Sequence, residues 1–357
     1  MKRYMLVVLP ALLISILLGG CSFWLNGERL SVTPHQEQIP QLGDDVIEVT
    51  TGEQILSVLE EFVEAGAESA ILSTSAFDDS ELRQYVDEAI RNVTKNNPIA
   101  AYAVKEIAYE IGTNRGVPVV AFQIEYLHGR SEILRIKRTD TMEEAVALIT
   151  NALDNCEDSV ILRVKQYAST DFSQMVQDYG NQNPDIVMEI PKVSASSYPE
   201  TGNDRIIEIV FTYQTSREKL KQMQEQVSPV FTAAELYVKQ TTQTSEMFSH
   251  LYSFLMERNT YRVETSITPA YSLLYHGVGD SRAFANVYAN MCRRAKLDCQ
   301  VISGTREGQP WCWNVIRHRG KYYHIDLLAC SGNDRFEMRS PEQMDGYVWD
   351  YAVYPAE

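Results

Sequence analysis

Two stretches of the chain carry the same signature in the same order. "TGEQILSVLEEFVEAGAESAILS" begins at Thr51, and "TMEEAVALITNALDNCEDSVILR" begins at Thr141. Each runs Thr, Glu, an apolar stripe at helical spacing, an acidic turn and then Ile-Leu. Further on, "NNPIAAYAVKEIAYEI" near Asn96 answers "QNPDIVMEIPKVSASS" near Gln182. "VPVVAFQIEY" ending at Tyr126 answers "DRIIEIVFTY" ending at Tyr213. Three ordered matches imply a duplication, and a duplicated unit must bury the same positions twice. Each copy reads as helix, strand, helix, strand, strand, with "TNRG" and "ETGND" as the turns of its final hairpin. The expected fold class is therefore α+β, with repeated modules over 50–138 and 139–226. Ile71-Leu72 and Ile161-Leu162 should be equivalent pairs on buried strands. Neither copy carries a nucleophile with a base, or a Gly-rich phosphate loop.

The last third reads differently. "SREKLKQMQEQV" is a polar helix that closes the second module, and "TSEMFSHLYSFLMERNTYR" is a second helix. In "GVGDSRAFANVYANMC", Phe284, Val287, Tyr288, Met291, Cys292 and Ala295 fall on one helical face, so a helix starts near Asp280 or Ser281. "DCQVISG", "WCWNVIRH" and "KYYHIDLL" follow as short strands, the last two joined by a turn at Gly320.

This helix followed by three strands resembles the core of the transglutaminase-like, or papain-like, superfamily. "SRAFANVY" falls where that family has its Cys-x-Gly-Tyr-Ala helix start. "VISG" ends in Gly304 as the family strand ends in glycine. "WCWN" stands at the His-Ala-Trp-Asn strand, with Trp313-Asn314 matching, and "YYHID" ends at the expected aspartate, Asp326. The resemblance covers about 228–357 and implies a transglutaminase-like domain over 227–357, a helix packed on an antiparallel sheet. It also places the nucleophile at Ser281 in place of cysteine, the base at Trp311 in place of histidine, and the orienting acid at Asp326.

That triad is degenerate. A serine hydroxyl needs a neighbouring proton acceptor, and an indole offers one N–H donor and no lone pair. Ser281, Trp311 and Asp326 should converge, with Trp311 filling the histidine's place and donating to Asp326 or to a carbonyl. Asp280 or Ser281 should cap the helix. His324, two residues before Asp326 on the same strand face, and His276 are the candidate substitute bases. With either, the domain would be a serine-type amidase, peptidase or acyltransferase. Without them it is a pseudoenzyme that binds a peptide or a cell-wall polymer.

The N-terminus bears on location. Lys2 and Arg3, an apolar run and Leu18-Gly19-Gly20-Cys21 resemble a bacterial lipoprotein signal ending in a lipobox. The expected plan is a signal peptide over 1–20, then lipidated (palmitate-class) Cys21 with a linker over 21–49. The protein would be anchored on the extracytoplasmic side of the cell membrane. Removing Lys2 and Arg3 leaves 30 basic against 48 acidic residues, near −18, which argues against nucleic acid as a partner. No CxxC, HExxH or EF-hand spacing occurs, so no metal or cofactor is expected. Cys156, Cys292, Cys299, Cys312 and Cys330 remain, an odd number whose pairing the sequence leaves open. Nothing in it specifies an oligomeric state.

Overall fold

The computed structural model describes residues 46–263, 266–332 and 335–354. The Leu18–Cys21 lipobox and most of the linker lie outside the described residues. No helix among them is long and apolar enough to cross a membrane.

The first module runs β1 (Ile47–Glu48), α1 (Gly52–Glu64), β2 (Ser69–Ser73), α2 (Asp79–Asn96), α3 (Pro98–Ala103), β3 (Val104–Asn114) and β4 (Val117–Tyr126). A short helix α4 (Arg130–Ile133) leads into the second: β5 (Lys137–Thr141), α5 (Met142–Asp154), β6 (Ser159–Gln166), α6 (Phe172–Gln182), β7 (Lys192–Tyr198) and β8 (Arg205–Thr212). The sheets have the same order, β1-β2-β4-β3 and β5-β6-β8-β7. The registers agree as well. Leu72 sits between Ile47 on a parallel neighbour and Val120 on an antiparallel one, and Leu162 sits between Lys137 and Ile207. Both leucines are fully buried.

The helix starts repeat as closely. Thr51 Oγ1 accepts from Gln54 N–H while Gln54 reaches back to Thr50 N–H. Thr141 Oγ1 accepts from Glu144 N–H while Glu144 reaches back to Asp140 N–H. One first-turn amide that no helix can satisfy internally, and the N–H of the residue before the cap, are thus used in the same way in each copy. What the periodicity did not reveal is the opening parallel strand of each module. β1 has two residues and β5 reads "KRTDT", too short or too polar to show a strand pattern.

The modules pack together through apolar and ionic contacts. Ile206 of β8 belongs to the first module's core, where Ile161 and Tyr198 also pack. Arg163 of β6 pairs with Asp204 and with Glu64 at the end of α1 at 2.9 and 2.8 Å.

The C-terminal unit opens with α7 (Arg217–Val238). The helix expected to close the second module continues for 22 residues and turns its apolar face into the C-terminal core. Then come α8 (Thr244–Met256), β9 (Thr260–Tyr261), α9 (Pro269–His276), β10 (Val278–Gly279), α10 (Ser281–Arg294), β11 (Cys299–Arg306), β12 (Gln309–His318), β13 (Lys321–Ile325), α11 (Leu327–Gly332) and β14 (Tyr347–Val348). The antiparallel sheet is ordered β13-β12-β11-β14. Alternation along β12 divides its side chains. Asn314 and Ile316 face α10, with Asn314 Nδ2 donating to Ala285 O at 2.9 Å. Trp313 and Val315 face a smaller core closed by Met344, Tyr347 and Trp349. The whole is a mixed α+β protein in which the second module also braces α10. Asn286 and Asn290 bond Asn181 and Asp185, and Arg294 pairs with Asp185 at 3.1 Å.

Candidate functional site

The site forms where the start of α10 meets β12 and the end of β13. Gly277, left-handed at φ 76°, ends α9. β10 then pairs in parallel with β9, setting Gly279 beside Tyr261, and Asp280 starts the next helix. Asp280 is the cap: its Oδ1 accepts from Ala283 N–H at 2.8 Å. Ser281 is the first helical residue instead. Its half-buried hydroxyl accepts from the backbone N–H of Cys312 at 3.3 Å, the one hydrogen bond to Oγ among the described residues. The N-terminus of α10 therefore abuts β12 at Cys312, the residue after Trp311.

Trp311, which the resemblance puts in the place of the base, is half-buried. Its Nε1–H donates to Asp326 Oδ2 at 2.9 Å. The indole thus reproduces the donating half of a histidine and lacks the accepting half. Asp326 is buried and its carboxylate is saturated. Oδ2 also accepts from Arg306 Nη1 at 3.2 Å and from the Tyr347 hydroxyl at 2.6 Å. Oδ1 accepts from the N–H groups of Leu328 and Ala329 at 3.0 and 3.1 Å, starting α11. Burial, then the Asp326 bond, push the Tyr347 hydroxyl well above its ordinary range, so it remains a donor. Arg306 lies 5.3 Å from the Trp311 ring centre and Tyr261 packs against that ring at 5.4 Å, tilted by 54°. Five side chains from four strands and the β13–α11 junction therefore form one cluster centred on Asp326 and Trp311.

Among the described residues neither His324 nor His276 has a hydrogen bond to Ser281. His324 pairs with Val315 across the ladder and so faces the Trp313 side of the sheet. It is fully buried. Its Nδ1 accepts from Trp313 Nε1–H at 3.0 Å, and Trp349 packs on it at 4.7 Å. Burial lowers its pKa to about 4, so the ring is neutral, and its Nε2 has no partner among the described residues. It shares a strand face with Asp326, as the alternation implies, yet it works as a core acceptor. His276 is exposed at the end of α9, edge-on to Tyr271 and Tyr275 at 5.2 and 5.1 Å. Asp326 itself carries Trp311, so no histidine is oriented by it. Among the described residues no group of three His, Cys, Asp or Glu side chains is placed to hold a metal ion.

Arg306, Tyr347 and Tyr261 escaped the sequence reading. Arg306 stands two residues past the Gly304 anchor, so strand alternation from that glycine could have placed it. Tyr347 and Tyr261 lie on two-residue strands with no periodic signal. Gly304 has a local reason: a Cβ there would overlap the Val348 carbonyl oxygen and come within 2.8 Å of the Trp313 ring. Its bareness lets β14 close against β11 and deliver Tyr347 to Asp326.

Next to the site a cleft of about 570 Å³ opens between α6, α10 and β11, lined by Asn181, Arg282, Asn286, Arg293, Gln300 and Ser303 among others. The Ser303 hydroxyl lies 3.5 Å from the buried Cys312 thiol, immediately beyond Ser281.

Comparison with known proteins bears on the C-terminal part of the chain. Residues 231–335 match the core model of the transglutaminase-like superfamily. No curated protein matches the chain. Among solved structures, one described as a TGase shares 10% identity at a TM-score of 0.27, over 61% of this chain and 63% of that one. A candidate cysteine protease from Cytophaga hutchinsonii shares 10% identity at a TM-score of 0.27, over 46% and 69%. A candidate protease from Parabacteroides distasonis shares 8% at 0.24, over 62% and 35%. The chain spans less than two thirds of the first of these structures. The C-terminal part of the chain, residues 231–335, is a transglutaminase-like domain.

Proposed function

We propose that this domain is non-catalytic. In this reading the protein is an envelope lipoprotein, tethered by Cys21, that binds a peptide or wall polymer. The observation that carries the reading is the hydrogen bond from Trp311 to Asp326. The acid is engaged by a group that cannot accept a proton, and among the described residues the Ser281 hydroxyl meets only a backbone donor. General base catalysis is worth ~10²–10⁴ in rate, and a serine without it is a poor nucleophile. The cleft beside Ser303 supplies a polar, two-sided surface for a ligand with amide or hydroxyl groups.

A serine-directed fluorophosphonate probe on the purified protein tests this. We expect no labelling of Ser281, while cell-wall fragments or peptides are retained without turnover. Stoichiometric labelling at Ser281, lost in His324→Ala or His276→Ala, would establish a serine hydrolase with an unusual base and end the non-catalytic reading.

A further inference from the structure

Two cysteines of the C-terminal unit are brought together by the turn that ends α10. Ala295 closes the helix. Lys296 is left-handed at φ 62° and its N–H donates to Arg293 O at 2.9 Å, while Leu297 N–H donates to Cys292 O at 2.9 Å. That pair of bonds is a Schellman motif, which reverses the chain within three residues. The reversal starts β11 at Cys299, which pairs with Ile316 and so, like Ile316, faces α10 and the core that holds Cys292. Cys292 is fully buried and Cys299 packs against the same core; burial, then the neighbouring Cys299 thiol, hold the Cys292 thiol well above its ordinary range. Cys299 is only partly covered, so the pair has one inner and one outer sulfur.

We propose that Cys292 and Cys299 form an intramolecular disulfide that staples the end of α10 to the start of β11. The oxidant is a small-molecule disulfide, RSSR. The accessible Cys299 thiolate attacks one sulfur of RSSR, giving a Cys299–S–SR mixed disulfide and expelling RS⁻, which takes up a proton from water. Cys292 then gives up its proton to solvent, attacks the Cys299 sulfur and expels the second RS⁻. Two thiols of the protein are oxidised and one RSSR is reduced to two RSH. Burial holds the Cys292 thiol well above its ordinary pKa, so the second step is the slow one and the mixed disulfide accumulates first at Cys299. The Cys330 thiol, also buried, instead meets the main chain of Glu337, which leaves 292–299 as the preferred pair. The inference does not depend on whether Ser281 is catalytic.

The test uses the full-length protein, incubated with excess oxidised glutathione at mildly alkaline pH, quenched with acid, unfolded, alkylated and digested with trypsin. Arg293, Arg294 and Lys296 lie between the two cysteines, so cleavage separates them and a disulfide joins two distinct peptides. We expect that joined species to grow after a lag in which glutathione is found on Cys299, and to vanish on reduction. It should be absent in Cys299→Ser and retained in Cys330→Ser. Recovery of wild-type Cys292 and Cys299 both alkylated, glutathione remaining on Cys299 without a joined species, or joining of either cysteine to another one would overturn the proposal. Because the decisive readout is taken on the wild type, poor folding of a variant does not decide it.

Discussion

Asp326 accepts hydrogen bonds from two charged or aromatic side-chain N–H groups, a phenol and two backbone amides at once. A carboxylate so engaged is a structural centre whatever else it does. Replacing it with alanine strands a buried phenol, an indole and the first amides of α11, and deprives Arg306 of its counter-ion. We expect Asp326→Ala to cost about 2–4 kcal/mol, toward the lower side because Arg306 is partly exposed to water. Urea unfolding would measure it. Ser281→Ala, by contrast, removes one 3.3 Å bond outside the helix cap and should cost no more than about 1 kcal/mol. His324 gives a pH signature. Its folded pKa is lowered from 6.5 to about 4 by burial, so the unfolded chain binds the proton first. The stability it confers is present above 6.5 and is lost as pH falls toward 4, with a slope of up to ~1.4 kcal/mol per pH unit. His324→Gln keeps an acceptor for Trp313 and should flatten that slope. An unchanged slope in the variant would show that other groups govern acid unfolding.

At the scale of elements, β14 matters more than its two residues suggest. It is the strand that carries Tyr347 to Asp326, and it fits only because Gly304 has no side chain. Gly304→Val should push β14 away and open the core around Trp313, Tyr347 and Trp349. We expect a loss of about 1–3 kcal/mol from overpacking, with a red-shifted tryptophan emission in the folded state. Emission and stability like the wild type's would show that β14 is not held this way. The same element shows what a sequence displays and what it hides. The long helices, the hairpins and the equivalence of Leu72 with Leu162 are legible because a duplicated pattern must bury the same positions twice. Trp311 and Asp326 are legible through the spacing of a known family core. β1, β9, β10 and β14 are not, because two residues cannot show a period of two, and their partners lie far along the chain. The neutral, inward-facing role of His324 was hidden for another reason: alternation gives a face, but only packing says what covers it. The end of α7 was misplaced because its first half is polar, while its apolar face continues past Pro229.

For the whole molecule, the tether is the untried part of the plan. If Cys21 carries the only anchor, Cys21→Ala should move the protein from the membrane to the soluble envelope fraction, read by fractionation and immunoblot. Continued recovery with membranes would mean that the apolar N-terminal run is retained as a span. Inside the folded body, α7 adds a further link between the second module and the C-terminal unit, beside the one that Asn181 and Asp185 make to α10. Lys221 and Gln224 in its first half bond the carbonyls of Asp154 and Ile186 in the second module. Gln226 accepts from Tyr271, and Glu235 pairs with Arg294 of α10. Pro229, lacking an N–H, removes one rung of the helix ladder between these contacts. The order of synthesis gives this arrangement a direction in time. When α7 leaves the ribosome its partners in the second module already exist, and those in the C-terminal unit do not. The first half can dock at once, presenting Phe231, Ala234 and Val238 as a prepared apolar surface on which α8, α9 and α10 arrive in turn.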